Sequence, residues 1–178
     1  MVKVAVTGGI ACGKSLFAGF LRKFGVETID ADDIVHELVP AEERRRLAKV
    51  VFSDEAARKA LEARIHPVVR ERIDEFLLRG GLRAAVVPLL FEVKWERNFD
   101  IICAVVSTRE NQVSRMTATR GYTRSEAEAR LAAQLPAEEK ARRAHYTVRN
   151  DATPAELENE TRKFVTWLKS NSTCSPHR

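Results

Sequence analysis

The 178-residue sequence lacks three features that would assign it to well-known classes of protein. Its three cysteines, Cys12, Cys103 and Cys174, have neither the even number of a disulfide framework nor the spacing of a metal site. It has no run of about 18 apolar residues that could span a bilayer. It also has no leader pattern at its start, where a strand pattern begins at once. We therefore expect a cytoplasmic protein with no membrane partner.

Aromatic residues are also scarce, at 7% of the chain, which bears on the meaning of the net charge of +5. A basic chain favours polyanionic partners, which include both nucleic acids and nucleotides. The arginines concentrate between residues 109 and 149, but acids and apolar residues lie among them, and rings for stacking bases are almost absent. The sequence therefore predicts no nucleic-acid partner. Because no Asn-Lys-x-Asp segment occurs, GTPases are disfavoured.

One glycine-rich segment, residues 8–15, fits the phosphate-loop pattern and directly follows a strand pattern. Gly8 and Gly13 permit backbone angles closed to other residues, so that successive N–H groups can turn toward an anion. Lys14 begins a helical pattern whose positive end points to the same place, and its ammonium can reach the β- and γ-phosphates. The Ser15 hydroxyl can bind Mg²⁺. A turn that binds nothing would not need the Lys-Ser pair, so the segment predicts a bound nucleoside triphosphate.

Two cysteines have contrasting surroundings in the sequence. Cys12 lies inside the phosphate loop, where backbone amides and Lys14 would lower the pKa of its thiol, and we predict an oxidisable side chain there. Cys103 lies in an apolar run and is predicted to be a small core residue.

The apolar runs predict an α/β fold with a parallel sheet covered on both faces. Near-continuous apolar runs separated by helical patterns suit strands of this kind. The predicted strands cover residues 2–7, 26–29, 83–90, 101–106 and 146–148. Residues 34–80 are mostly helical in pattern, and a last helix opens at Thr153-Pro154.

An acidic cluster, Asp30-Ala31-Asp32-Asp33, ends the second predicted strand. In an open parallel sheet, ligands bind beyond the carboxyl ends of the strands, so this cluster and the phosphate loop should share one edge. We choose Asp32 to orient or deprotonate an acceptor hydroxyl. The alternative is that an aspartate after a strand merely caps the next helix, which applies to Asp33 as readily as a site role does.

Three arginines, Arg120, Arg124 and Arg130, cluster around the capping box Thr123–Glu126 and suit a segment that closes over the phosphates. Solvated surface charge is the alternative for any one of them. For His66, beside Pro67, we favour a hydrogen-bonded histidine at a proline turn over catalysis. Glu92, after a buried strand, is a candidate for the acceptor site, with helix capping as its alternative. The pattern alone indicates an ATP-dependent kinase of a small molecule.

Beyond this pattern, the chain resembles the dephospho-CoA kinases from Val2 to about Lys169. The phosphate loop would fit many families, but the Asp-Ala-Asp, His-Pro and Pro-Leu-Leu-Phe-Glu segments in this order make a specific set. The residues that carry the resemblance are Thr7–Ile10, Gly13–Ser15, Ile29–Asp32, Phe52, Leu61-Glu62, His66–Val69, Val87–Glu92, Gln112, Arg115, Arg120, Arg130, Gln134 and Asn150-Asp151.

The resemblance implies transfer of the γ-phosphate of ATP to the ribose 3′-hydroxyl of dephospho-CoA, giving CoA in the last step of its biosynthesis. It implies ATP and Mg²⁺, the latter on Ser15, and Asp32 as general base with Lys14 and Arg130 as further catalytic residues. The implied ATP-binding residues are Gly8, Gly9, Ala11, Cys12, Gly13, Lys14, Ser15, Leu16, Arg115, Arg120 and Asn150, with Arg115 and Asn150 flanking the adenine. The implied acceptor-binding residues are Thr7, Asp32, His66, Arg70, Leu90, Phe91 and Glu92.

The implied architecture is one phosphate-loop kinase domain over residues 1–170, of the three-layer α/β/α type with a five-stranded parallel sheet. Its core would comprise residues 1–35, 81–111 and 144–169. A helical acceptor-binding subdomain would cover residues 36–80, and a lid residues 112–143. Residues 170–178 are expected to be a mobile tail, and the protein a monomer.

The sequence departs from the family pattern at three places. The segment between Val39 and Phe52 is shorter than usual and lacks the glycine-containing stretch that normally precedes the arginine matching Arg44. Leu16 replaces the usual threonine, and His145 and Arg149 stand where aspartates are common. Two alternatives stay open: another small-molecule or nucleoside monophosphate kinase, and a non-catalytic module that binds ATP.

Overall fold

The computed structural model describes residues 2–39 and 55–172, with side chains described at residues 2–39 and 63–172. The predictions that concern the shortened segment, Arg44, Phe52 and Cys174 lie outside these residues. The described chain forms a sheet of five parallel strands in the order β2-β3-β1-β4-β5. The strands are β1 Val4–Thr7, β2 Glu27–Asp30, β3 Arg83–Val86, β4 Ile101–Val106 and β5 Tyr146–Arg149.

Seven α-helices and one 3₁₀ turn, Glu96–Asn98, connect and follow these strands within the described residues. The helices are α1 Lys14–Lys23, α2 Ala31–Leu38, α3 Glu55–Leu77, α4 Arg109–Arg120, α5 Arg124–Ala132, α6 Ala137–Arg143 and α7 Pro154–Ser172. The α/β fold class and the parallel five-stranded sheet are confirmed.

The strands alternate their side chains between two layers of core. Val4 and Val6 of β1 belong to the cluster that α1 and α7 cover, together with Phe17 and Phe164. Ala5, between them, belongs to the opposite cluster, which α2 and α3 cover. This period of two places one apolar layer on each face of the sheet, as burial of both faces requires.

Two strand and turn predictions were wrong. The third strand ends at Val86, not at Leu90, and residues 88–94 form turns. Pro88 has no N–H to donate to a ladder, which explains why pairing stops before it. The expected turn at His66-Pro67 is absent, since Pro67 lies inside α3.

The chain's end also differs in part from the prediction. Helix α7 continues to Ser172, so residues 170–172 are helical and not part of a mobile tail. Residues 173–178 lie outside the described residues. The predicted opening of this helix is confirmed, because the Glu156 N–H donates to Thr153 Oγ1 at 3.3 Å.

Phe164 contacts three other aromatic rings of this core. It is fully buried, and its ring centroid lies 5.8 Å from that of Phe17, 5.1 Å from Tyr146 and 6.1 Å from Trp167. We expect Phe164→Ala to lower the free energy of unfolding by about 3–5 kcal/mol, measured by urea denaturation. The control is Leu78→Ala, at a side chain that is 60% exposed, with an expected loss below about 1 kcal/mol. Equal losses would contradict this account.

Candidate active site

The carboxyl ends of the parallel strands bring the main predicted site residues to one edge of the sheet. β1 ends at Thr7 and leads into the phosphate loop, and β2 ends at Asp30 and leads into α2. β5 ends at Arg149, directly before Asn150. The shared edge follows from the parallel order of the strands.

Gly8 and Gly13, the two glycines of the phosphate-loop pattern, are each required by the structure. Gly13 has φ 91°, the left-handed region that favours glycine, and precedes α1 as its N-terminal cap. A Cβ on Gly13 would lie 2.1 Å from Asn150 Nδ2, and one on Gly8 would lie 2.1 Å from the Val105 carbonyl oxygen. The loop backbone therefore fits against β4 and Asn150 only with glycine at both positions.

Two glutamines hold the outer side of the loop at Ile10. Gln112 Nε2 of α4 donates to the Ile10 carbonyl oxygen at 2.7 Å. The Ile10 N–H in turn donates to Gln134 Oε1 at 3.0 Å. Both backbone groups of Ile10 are thus satisfied by side chains more than 100 positions along the chain.

Arg115 and Asn150 satisfy the next two carbonyl groups of the loop. Arg115 Nη1 donates to the Ala11 oxygen at 3.2 Å, and Asn150 Nδ2 donates to the Cys12 oxygen at 2.9 Å. The two residues also contact each other, since Arg115 Nη2 donates to the Asn150 carbonyl at 2.7 Å. The resemblance implies that both flank the adenine of ATP, and in this structure both side chains bond to the loop backbone.

Lys14 folds back over its own loop. Its Nζ donates to the carbonyl oxygens of Gly8 at 2.9 Å and Gly9 at 2.8 Å. Burial lowers the pKa of this ammonium below its usual value, and the charge of Lys140 lowers it further, while Asp32 and Asp30 oppose the shift. An anion arriving at the loop would stabilise the charged form, so the site favours a negatively charged ligand.

Asp30 is the residue of the acidic cluster that caps α2. Its carboxylate accepts the Asp32 N–H at 2.9 Å and caps α2, which leaves Asp32 and Asp33 in the first turn of that helix, both exposed. Burial raises the pKa of Asp30, and the neighbouring charges of Asp32 and Asp33 add to this effect. Asp32 is therefore free of the capping role and lies within electrostatic range of Lys14.

The prediction of a low pKa for Cys12 was wrong. The side chain is fully buried, and burial raises the pKa of the thiol despite the opposing charge of Lys14. Cys103 is also fully buried, as predicted, and burial raises its pKa as well. Neither thiol has the exposure that oxidation of a cysteine requires.

The acceptor-side residues fall into two groups. Thr7 Oγ1 donates to the Pro88 carbonyl at 3.2 Å, in the turn that follows β3. Leu90 and Phe91, in the same turn, are 0% and 4% exposed and belong to the core, so their side chains do not face solvent. Glu92 Oε1 accepts from the Leu135 N–H at 3.0 Å and from Lys140 Nζ at 2.8 Å.

His66 and Arg70 form the second group, which lies on α3 and contacts the far end of this turn. The His66 ring meets Trp95 edge to face at 5.3 Å, and the Arg70 guanidinium lies 5.7 Å from the same ring. Together they line a groove of about 760 Å³ along α3.

The predicted lid arginines contact their own surroundings. Arg124 forms an exposed ion pair with Glu110, and the Arg130 guanidinium lies 4.4 Å from the centre of the Tyr122 ring. Arg120 is the exposed last residue of α4. The Thr123–Glu126 capping box is confirmed. A cleft of about 320 Å³, lined by Gly9, Gln112 and Gln134 among others, separates the phosphate loop from the end of α5.

The family model and the curated relatives point to the same family. The family model of the dephospho-CoA kinases matches residues 2–43 and 40–156. A dephospho-CoA kinase of Geobacter sulfurreducens is 38% identical over 93% of this chain and 97% of its own. The chain belongs to the dephospho-CoA kinase family.

Solved structures support the same relationship. A crystal structure of TT1252 from Thermus thermophilus is 35% identical, with a TM-score of 0.80 over 94% of this chain and 97% of its own. A dephospho-CoA kinase from Campylobacter jejuni is 25% identical, with a TM-score of 0.72 over 96% and 98%. Membership of this family means a phosphoryl-transferring enzyme that acts on dephospho-CoA and uses ATP, with the phosphate-loop kinase fold.

The dephospho-CoA kinase signature contains residues to which sequence reasoning gave no role. Gln112 and Gln134 carried the resemblance, but their contacts with Ile10 were not foreseen. Gln112 offers one signal, because it is buried beside Val113 and Met116 on the apolar side of α4, where a polar residue needs a partner. The burial of Lys140 is harder to foresee, because the charged residues around it in α6 make that segment look like an ordinary surface helix.

The departures from the dephospho-CoA kinase pattern occupy defined places. Leu16 is 43% exposed on the first turn of α1, so its apolar side chain projects away from the core. His145 Nδ1 accepts the Ile102 N–H at 3.0 Å, and Arg149 forms an ion pair with Glu138. Both replacements are thus accommodated by contacts outside the phosphate loop.

Asp30 is half-buried, so it offers a test both of its capping role and of the effect of burial on its carboxylate. Because its folded pKa lies above 3.8, the bound proton favours the folded state, and this stability is lost as the pH rises through the folded pKa. Asp30→Asn keeps a capping oxygen and never ionises, so we expect it to be at least as stable as the wild type at about pH 7, with the difference narrowing toward about pH 4. Asp30→Ala removes the cap and should cost about 1 kcal/mol.

Urea denaturation of the three proteins across this pH range measures these differences. A lower stability of Asp30→Asn than of Asp30→Ala at neutral pH would refute the capping role of the side chain.

Proposed function

We propose that this chain transfers the γ-phosphate of ATP to the ribose 3′-hydroxyl of dephospho-CoA, and that Asp32 accepts the proton of that hydroxyl. The observation that carries the proposal is the approach of two elements at one sheet edge. The phosphate loop with Lys14 follows β1, and the first turn of α2 with Asp32 follows β2, close enough for the carboxylate charge to act on Lys14. Family membership supports the identity of the acceptor.

The phosphate loop fits ATP. Its outer carbonyl groups are satisfied by Gln112, Arg115 and Asn150, which keeps the backbone rigid and leaves the N–H groups at the start of α1 for phosphate oxygens. On ATP binding, Lys14 would exchange the carbonyls of Gly8 and Gly9 for phosphate oxygens, whose negative charge makes the new hydrogen bonds stronger than the two that are lost. It would neutralise charge that develops on the transferring group.

The donor set at this edge also fits Mg²⁺. Ser15 offers a hydroxyl, and Asp30 and Asp32 offer carboxylate oxygens, the ligands that this ion takes from proteins beside phosphates. We propose Ser15 as its protein ligand. The ion would supply charge neutralisation at the phosphates of ATP. Asp32 then needs only to hold the hydroxyl in line and remove its proton as the oxygen–phosphorus bond forms and ADP leaves.

Within the predicted lid of residues 112–143, we propose that α5 closes over ATP, because Gln134 and Lys140 after it are held by Ile10 and by Pro88 and Glu92. The charges on Arg120 and Arg130 are at the surface in this structure, and a rotation of α5 about the exposed Gly121 (φ 68°) would carry Arg130 toward the phosphates. The buried side of α4 is fixed to the loop by Gln112 and Arg115, so the moving part would begin after Arg120. Guanidinium groups would then replace water around the phosphoryl group.

The proposal also covers where the acceptor binds and in what state the protein acts. The acceptor would lie between α2, the turn of residues 88–94 and the groove of His66 and Arg70, within an acceptor-binding segment of residues 36–80. We keep a monomer in the cytoplasm, with no nucleic-acid or membrane partner, as predictions. No helix in the described part of the chain has the length and apolar character needed to cross a membrane.

The acceptor is tested by supplying Mg-ATP with either dephospho-CoA or a panel of nucleoside monophosphates and following ADP release. We expect turnover with dephospho-CoA alone, because the family motifs lie on the acceptor side. Turnover with another acceptor would replace the proposed substrate, and ATP binding without any turnover would favour the non-catalytic alternative.

The role of Asp32 is tested by Asp32→Asn. We expect kcat to fall by about 10²-fold or more with the KM for ATP nearly unchanged, because the amide holds the hydroxyl but accepts no proton. Steady-state kinetics in both substrates measures the effect.

Asp33→Asn is the matched control, since Asp33 is exposed on the same helical turn and its charge is removed in the same way. It should retain kcat within about threefold of the wild type. If Asp32→Asn behaves like this control, Asp32 is not the base.

A further inference from the structure

Lys140 is the one charged residue that is buried in the part of the chain whose side chains the structure describes. Its side chain is 0% exposed, although α6 is a short surface helix. Its neighbours Arg142 and Arg143 are exposed and pair with Glu139 and Glu96 at the surface. Because lysines are almost never fully buried unless paired, the position of Lys140 requires an explanation.

The ammonium of Lys140 lies where three separate segments meet. Nζ donates to the Pro88 carbonyl at 2.8 Å and pairs with Glu92 Oε1 at 2.8 Å. The same Pro88 carbonyl accepts the Thr7 hydroxyl at 3.2 Å, and the same Glu92 oxygen accepts the Leu135 N–H at 3.0 Å. One buried cation thus joins the end of β1, the turn after β3 and the connection between α5 and α6.

These contacts of Lys140 lie beside the phosphate loop. Lys140 is among the charges that act on Lys14, and Thr7 directly precedes the loop. The turn of residues 88–94 has backbone bonds of its own, such as Val93 N–H to the Leu89 oxygen at 3.0 Å, while Pro88 and Glu92 accept the bonds that tie it to Thr7 and to Leu135. Lys140 bonds to both Pro88 and Glu92, and it therefore fixes the turn at its first residue and at its fifth.

We propose that Lys140 is a positioning residue for the phosphoryl acceptor: it holds residues 88–92 of the turn against Thr7 at the sheet edge. This proposal rests on the proposed function, because it takes that turn to border the acceptor. Lys140 acts through Pro88 and Glu92 and does not itself contact ATP or the acceptor. Its loss should weaken acceptor binding and leave ATP binding intact, because the phosphate loop is held by Gln112, Arg115 and Asn150.

The first test is Lys140→Met, which keeps the length of the side chain and removes its charge. We expect the KM for dephospho-CoA to rise by about tenfold or more, since a small misplacement of binding groups is costly, while the KM for ATP stays within about twofold. A purely structural role would not separate the two constants. Equal increases in both, or no change in either, would overturn the proposal.

Lys23→Met is the matched control. Lys23 also forms a single ion pair, with Glu158, but at the surface and at the end of α1 away from the loop. Both KM values should equal those of the wild type. Acceptor-specific weakening in this control would show that loss of any lysine ion pair is sufficient, and would overturn the proposal.

If Lys140→Met fails to fold, the double variant Lys140→Met/Glu92→Gln supplies the test, because it removes both charges of the Lys140–Glu92 pair and leaves no carboxylate without its partner. Its KM for dephospho-CoA is compared with that of Glu92→Gln alone. A further rise of about fivefold or more from the lysine change supports the proposal, and the absence of a further rise overturns it.

A readout without activity separates this proposal from the proposed function. The Trp95 N–H donates to the Leu90 carbonyl at 3.0 Å, so Trp95 reports on the turn. In a Trp167→Phe background, Lys140→Met should increase acrylamide quenching of Trp95 fluorescence, and unchanged quenching would overturn the positioning role. If the wild type fails to phosphorylate dephospho-CoA while Trp95 responds as expected, the proposed function fails and the hold of Lys140 on the turn stands.

Discussion

A loop that presents its N–H groups to an anion must have its carbonyl groups satisfied elsewhere, and the rest of this structure depends on that constraint. The carbonyls of Ile10, Ala11 and Cys12 accept bonds from Gln112, Arg115 and Asn150. Buried backbone carbonyls without partners would be costly, so these three side chains make the open form of the loop possible. The sheet order serves the same end, because β4 and β5 follow β1 in the sheet and bring these residues to the loop.

The second constraint is electrostatic. Two desolvated ammonium groups, Lys14 and Lys140, lie close enough to affect each other at the edge of the sheet. Lys140 pairs with Glu92, whereas Lys14 contacts backbone carbonyls and has the more distant charges of Asp30 and Asp32. Among the residues whose side chains are described, no carboxylate contacts Lys14, so this is the cation that a phosphate can recruit.

Much of the fold was predictable because strand and helix patterns are local. β4 was predicted at its observed bounds, and the helix after the phosphate loop begins at Lys14 as its pattern indicated. The third strand was predicted too long, because the apolar residues after Pro88 are buried in a turn and not in the sheet. His66-Pro67 was expected at a turn, but both residues lie inside α3, where the His66 ring contacts Trp95.

The candidate site was predictable in part for the same reason. The phosphate loop and the Asp30–Asp33 cluster are short motifs with a mechanism, so their meeting at one edge followed from the sheet. The choice of Asp30 as the cap, the support of Ile10 by two glutamines and the burial of Lys140 depend on contacts between distant segments. Burial of Cys12 against those same segments reversed the predicted direction of its pKa shift.

The bond from Asn150 to the Cys12 carbonyl joins residues 138 positions apart. During synthesis the first strand and its loop leave the ribosome early, but the side chain that completes the loop comes from beyond the fifth strand. The nucleotide cradle should consequently be among the last parts of the molecule to mature, since bringing such distant segments together costs chain entropy that only an already formed sheet offsets. A nascent chain that stops short of the fifth strand would carry the whole glycine-rich signature and still have no finished place for a nucleotide.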